Sequence, residues 1–221
     1  MSIGLDIGLD IVCRAKWHIH HQQWRPCGRC TGKTAGPHGH STYNIEMADI
    51  RIDQWRPDAA DGVVEMLGGV LHAVVHDGAS VGFVLPFTIE EARAYWAEKV
   101  LQDVRAHKRR LLLAWDGPEV VGTVHLNVDT MPNQAHRAEV SKLLVHPKAR
   151  RRGIARALMT GLEAVARGDG RTLLTLDTRS GDSAEPLYLS MGYTFVGAIP
   201  RFARAPDSPS LDATSILYKV L

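Results

Sequence analysis

Ala138-Glu-Val-Ser-Lys-Leu-Leu-Val-His-Pro-Lys-Ala-Arg-Arg-Arg-Gly-Ile-Ala155 is the stretch from which the fold can be read. Its first eight residues predict a strand over 138–145, which Pro147 ends. Lys148, Arg150, Arg151 and Arg152 then make a basic turn. Gly153 opens a helix whose buried stripe is Ile154, Leu158, Leu162 and Val165. Such a strand, turn and helix leave free backbone N–H groups at the positive end of a helix dipole, a good seat for a pyrophosphate. Gly153 lets the chain turn tightly, small Ala155 keeps the helix start open, and the arginines add charge. Taken alone, the same residues also read as a solvated basic turn before an ordinary helix.

The flanking sequence alternates strands and helices. Ile50 and Ile52 alternate with Asp49, Arg51 and Asp53, predicting a first strand near 48–55. Pro57-Asp58 opens a helix through about 75, with Val63, Met66, Leu67, Val70, Leu71 and Val74 at helical spacing. After a loop over 76–86, Thr88-Ile-Glu-Glu91 is a capping box that starts a second helix. Strands are predicted over 111–115 and 120–128, joined by the turn Asp116-Gly-Pro-Glu. In the latter, Val120, Val124, Leu126 and Val128 take the core face, and Thr123, His125 and Asn127 offer the other to solvent or a ligand. A strand over 172–178, a short helix near 182–191 ended by Gly192, and strands over 193–199 and 214–220 complete the chain. This is an α/β arrangement with a mixed, mostly antiparallel sheet flanked by helices on both faces.

Three pieces in this order carry a resemblance. Arg150-x-x-Gly153-x-Ala155, the strand before it, and Leu187-Tyr188-Leu-Ser-Met-Gly192-Tyr193 resemble the GCN5-related N-acetyltransferase (GNAT) superfamily over most of 48–220. The resemblance implies the GNAT fold and acetyl-CoA as cosubstrate. Arg150, Arg151, Arg152, Gly153, Ile154 and Ala155 would hold its pyrophosphate. The end of the preceding strand, near Leu144 and Val145, would pair with the pantetheine arm and polarise the thioester carbonyl. Many members place an asparagine before the last helix. Here the stretch is Ser180-Gly-Asp-Ser183, where Asp182 or Ser183 is expected to cap the helix instead. His76 to Phe83, His136 to Val140, and Leu176-Asp-Thr178 with Ser183-Ala184 look closest to the tabtoxin-resistance type, which implies a small amine acceptor and a resistance role.

Acetyl transfer to an amine in a ternary complex requires removal of the ammonium proton, a donor toward the oxyanion, and a proton for the departing thiolate. An alkyl ammonium of pKa about 10.4 has no lone pair with which to attack. Glu139 is the candidate base, and it needs burial or a water chain to accept protons at neutral pH; the alternative is an ion pair with Arg137 or Lys142. Asp177 either shares that work, holds the substrate ammonium, or caps a strand-end turn. Tyr188 matches the family's general acid, with core packing as its other reading. Ser80, Phe83, His125 and Asn127 are the candidate substrate contacts, with Thr123 and a loop over Arg201 to Asp207 beside them; a satisfied, non-catalytic histidine is the other reading of His125. A protein N-acetyltransferase and a non-catalytic CoA-binding sensor are the alternative functions.

The composition bounds these readings. The chain has 221 residues, 45% apolar and 23% charged, with a net charge of +2, so neither wholesale disorder nor nucleic acid binding is implied. Residues 1–46 hold all three cysteines and five of eleven histidines, and they supply the entire net charge, leaving 21 basic and 21 acidic residues over 47–221. Gly28 to Thr34 misses the phosphate-loop spacing by one residue. Cys27, Cys30, His38 and His40 offer zinc-type ligands without apolar residues between them, so reduced thiols in a disordered leader or extension are expected, with no metal. The catalytic domain is accordingly expected over 47–221. No membrane segment or secretory signal is apparent, and scarce cysteine suits the cytoplasm. Monomer and homodimer are both compatible with the sequence.

Overall fold

The computed structural model describes residues 44–47, 49–56 and 62–221. The cysteine- and histidine-bearing stretch over 13–40 and the expected helix start at Pro57-Asp58 lie outside these residues.

An eight-stranded sheet runs in the order β1-β2-β3-β4-β5-β6-β8-β7. β1 (Asn44–Met47) and β2 (Ile50–Gln54) form a hairpin, with Met47 opposite Ile50. The strand expected near 48–55 is β2, an unexpected β1 precedes it, and the sheet begins three residues before the expected boundary at Met47. β3 (Arg109–Asp116), β4 (Glu119–Asn127) and β5 (Arg137–Val145) continue antiparallel. β6 (Leu173–Arg179) is parallel to β5, and β8 (Leu211–Val220) lies antiparallel between β6 and β7 (Thr194–Arg204). The final strands are longer than expected. The chain over 201–207 is accordingly mostly strand, since a register shift between Ile199 and Ala203 absorbs the irregular residues, including Arg201 at φ 56°.

α1 (Val63–His76) precedes a loop that ends at the Thr88 capping box. There the Thr88 hydroxyl accepts from the Glu91 N–H at 3.1 Å, and the Glu91 carboxylate accepts from the Thr88 N–H at 2.7 Å. α2 (Ile89–Ala94), a π-helical turn (Tyr95–Val100) and α3 (Leu101–Arg105) follow as one continuous helical run. α4 (Ile154–Gly168) and α5 (Ala184–Ser190) complete the helices.

The four residues Leu111-Leu-Leu-Ala114 are all fully buried, because helices cover both faces of β3. α4 packs on one face against Ile52, Leu112, Val124, Leu126 and Val140. α1 and the π-helical turn pack on the other, against Leu111, Leu113, Val120 and Leu144. Each such leucine removed from water contributes roughly 1.5–3 kcal/mol. Gly122 permits the close seating of α4: a Cβ there would lie 2.9 Å from the Leu144 carbonyl oxygen and 3.3 Å from Leu158.

The double cover corrects the reading of β4. Thr123 and His125 do share the face opposite Val124 and Leu126, yet both are fully buried beneath the helices rather than offered to solvent. Among the described residues, the α1 core has no members on β6, β7 or β8, so none of its apolar cover extends over that half of the same face.

Candidate active site

Two features of β5 shape the site. Its pairing with β6 covers only Arg137–Leu173, Ala138–Leu174 and Glu139–Thr175, so beyond Glu139 the two strands diverge. Its register against β4 shifts between Thr123 and His125, a bulge at which Lys142 takes φ 51°. After the bulge, the His146 N–H donates to the Val121 carbonyl at 2.8 Å. Strand parity turns the Leu144 N–H toward β4 as well, whereas the Val145 N–H faces the gap. Val145 is thus the donor of the expected pair that faces the divergence, and Leu144 is committed to the sheet and to the core.

At the end of β5 the chain enters the basic turn. Gly153 caps α4 in the left-handed region, at φ 79° and ψ 0°, a conformation costly for other residues. The first helical bond here joins the Ala157 N–H to the Gly153 carbonyl at 3.0 Å. Among the described residues, the N–H groups of Arg151, Arg152, Gly153, Ile154 and Ala155 have no backbone acceptor. Five unpartnered donors at the head of a 15-residue helix fit the pyrophosphate of a coenzyme.

The three arginines divide their duties. Arg150 is ion-paired with Asp77, in the loop after α1, and Arg152 with Asp116 at 2.5 Å. The Asp116 partner is held below the usual carboxylate range by the hydrogen bond from Arg152. Arg151, at φ 64°, makes no ion pair among the described residues. Two of the three arginines thus hold loops in place, and Arg151 is the one without an ion pair among the described residues.

On the α1 side of the sheet, one row of side chains crosses six strands. Arg109, Asn127, Glu139, Thr175, Tyr218 and Thr194 are successive cross-strand neighbours. Glu139 is exposed and makes no ion pair among the described residues; Arg137 instead donates to Thr175 at 3.0 Å and Gln134 at 2.8 Å. Asp177, two residues beyond Thr175, is also exposed and accepts from the Thr214 hydroxyl at 3.1 Å. Asn127 donates to Ser141 at 3.0 Å, and its carbonyl oxygen is buried without a partner among the described residues.

His125 stands apart from this row. Arg109 donates to its Nδ1 at 3.0 Å, and since a guanidinium only donates, the ring proton sits on Nε2. Burial, with Arg109 and Lys142 adding to it, pushes the His125 pKa well below the ordinary value. Its ring meets Trp96 edge-on with centroids 5.2 Å apart. A neutral, sealed imidazole is a wall residue, and the expectation that His125 contacts substrate is corrected on that ground.

Tyr188, on α5, is 5% exposed and lies 5.7 Å from Tyr193 between ring centroids. Burial, then the charges of Asp177 and Asp182, raise its pKa far above the ordinary value, so the phenol stays protonated. Asp182 accepts from the Ser183 N–H at 2.6 Å and from Arg179 at 3.1 Å, and Ser183 makes no side-chain capping bond. Glu185 instead closes the turn, accepting from the Gly181 N–H at 3.0 Å.

The loop between α1 and α2 spans this face. Asp77 pairs with Arg150, Gly78 accepts from Arg179 at 3.1 Å, and the Leu85 N–H donates to the Pro206 carbonyl at 2.7 Å. Phe83 packs on Phe87 at 4.6 Å and edge-on to Tyr95 at 5.2 Å. Ser80 is half-buried in the same loop. Lys142, unassigned from sequence, reaches beneath the loop to within 6.0 Å of the Phe83 ring. Its signal was a lysine inside an otherwise apolar strand end.

A family model described as "Acetyltransferase (GNAT) family" matches residues 73–193, just over half of the chain. The chain belongs to the acetyltransferase (GNAT) family. Solved structures share the fold at low identity. Ribosomal-protein-alanine N-acetyltransferase from Brucella melitensis is 20% identical, covering 77% of this chain and 99% of its own, with a TM-score of 0.63. An N-acetyltransferase from Staphylococcus aureus Mu50 is 18% identical over 78% of this chain and 99% of its own, with a TM-score of 0.64. The structure of yncA from Salmonella typhimurium with its cofactor acetyl-CoA is 16% identical, covering 78% and 94%, with a TM-score of 0.61. For this GNAT chain, the turn at Gly153 lies within the matched residues. No helix among the described residues is long and apolar enough to cross a membrane.

Proposed function

We propose that the protein is a cytoplasmic, acetyl-CoA-dependent N-acetyltransferase whose acceptor is a small-molecule amine. The observation that carries this reading is the anchored loop over 77–87. Three tethers, to Arg150, Arg179 and Pro206, fix this loop beside the polar row, which favours a small acceptor over an extended peptide. Acetyl-CoA supplies the activated acyl group. The Arg151 to Ala155 N–H groups bind its pyrophosphate, and the Val145 N–H polarises the thioester carbonyl.

Glu139 receives the acceptor's ammonium proton through water, as its exposure requires, and Asp177 holds the ammonium in place. Tyr188, protonated by its environment, delivers a proton to the departing sulfur. Phe83 and Ser80 bound the acceptor. A toxin-like acceptor and a resistance role rest on the likeness of the 76–83, 136–140 and 176–178 phrases, the last with Ser183-Ala184, to the tabtoxin-resistance type.

The test is acetyl-CoA-dependent thiol release by the full chain with a panel of small amines and of peptides with free amino termini. Release with small amines, reduced about a hundredfold or more in Glu139→Gln, is expected. Release only with peptides would replace this reading by protein acetylation. CoA binding without release on any acceptor would replace it by a sensor.

A further inference from the structure

Lys142 is half-buried at the β5 bulge and has no carboxylate within ion-pair distance among the described residues. Its position is set from three sides. The bulge with φ 51° aims it off the strand, and the Phe83 ring lies 6.0 Å from Nζ. The Gly82 backbone lies close above, since a Cβ at that residue would stand 3.5 Å from Nζ. Gly82 has φ 92°, so the loop keeps this approach open.

The charges around Lys142 do not offset its own. Arg109 is the stronger cationic influence and Lys99 the weaker, and Asp177 is the carboxylate that acts on it, without an ion pair. Burial, reinforced by Arg109, lowers the Lys142 pKa from its ordinary value. Arg109 itself is occupied by Asp103 at 2.8 Å and by His125. A cation kept partly out of water without an anion is costly unless one arrives from outside. Across the cleft, Glu139 and Asp177 are exposed carboxylates on the same sheet face. The face therefore carries two exposed carboxylates on β5 and β6 and, at the bulge, a cation with no ion pair among the described residues, while Arg137 beside the row is spent on Thr175 and Gln134.

We infer that Lys142 binds an anionic group of the acceptor, making the substrate an amino-acid-like molecule that carries a carboxylate as well as the amine to be acetylated. This deepens the proposed small-molecule acetyltransferase reading and rests on it. The ammonium end faces Glu139 and Asp177, the carboxylate end faces Lys142, and Phe83 covers the carbon skeleton between them. A bare diamine would instead bring a second cation against Lys142.

The test uses ω-amino acids of increasing length, each paired with its own carboxamide, which keeps size and amine but removes the charge. Equilibrium binding is measured in the presence of CoA, and turnover with acetyl-CoA. At least one carboxylate should be preferred over its amide by about tenfold in binding and in kcat/KM. Lys142→Met should collapse that ratio toward one through KM, while Lys142→Arg, which keeps the charge but cannot act as a base, should retain it. Equal binding of all matched pairs by the wild type would overturn the inference, as would equal loss on both members of each pair in Lys142→Arg. Preferential binding of a carboxylate without turnover of any amine would uphold it and overturn the acetyltransferase reading instead.

Discussion

Replacing Tyr188 by phenylalanine separates its chemical duty from its packing. The ring is 5% exposed and stacks into the α4-side core beside Tyr193, so the aromatic body must be kept. The hydroxyl forms no hydrogen bond to any described residue, and phenylalanine therefore leaves no partner stranded. A stability change within about 0.5 kcal/mol follows, against about 3–5 kcal/mol for truncation of the ring to alanine. Removing a positioned proton donor should lower kcat roughly 10²- to 10⁴-fold. Because burial, Asp177 and Asp182 raise the phenol's pKa above its ordinary value of 10.0, the wild-type rate should show no loss from Tyr188 ionisation below pH 10. Urea unfolding and steady-state thiol release across pH measure both quantities. Unchanged kcat in Tyr188→Phe would refute the acid role, and a loss of stability above about 2 kcal/mol would refute the account of the hydroxyl.

Two other perturbations probe the frame around the site. His125 has its pKa pushed well below the ordinary 6.5 by burial and by Arg109 and Lys142, so the folded state stays neutral where the unfolded chain binds a proton. Its stabilising contribution is full above pH 6.5 and declines by up to about 1.4 kcal/mol per pH unit below it, a slope that His125→Gln should remove in urea titrations at pH 5 and 7. In the basic turn, Arg151→Ala should weaken CoA binding about tenfold by calorimetry, and Arg152→Ala should weaken it less, since Arg152 already serves Asp116 at 2.5 Å; the reverse order would show that the ion pair opens on binding.

The sequence carried the strand–turn–helix at Gly153 because three local signals coincide there: an apolar run, a glycine at a left-handed position, and a helical stripe. The capping box at Thr88 was equally local, and the structure contains both of its reciprocal bonds. What alternation along β4 could not reveal was the second layer. Thr123 and His125 look outward within their own strand, and only the packing of Trp96 and α1 from far along the chain buries them. Likewise the arginine run reads as uniform charge until Asp77 and Asp116 are brought to it by tertiary structure. Lys142 was invisible as a site residue because its placement depends on a bulge, and a bulge depends on register between two strands.

The brief pairing of β5 with β6 has a consequence for what the enzyme accepts as donor. Past Glu139 and Thr175 the sheet carries two internal edges facing one another, each with ladder groups that no strand among the described residues uses. Exposed edges invite any extended chain bearing amides to complete them. A donor with an amide-rich arm can act as a guest strand and mend the sheet while it delivers its acyl group, whereas a short acetyl thioester lacking amides leaves both edges bare. Selectivity between such donors would then be a property of the protein's own unfinished β-structure rather than of any single side chain.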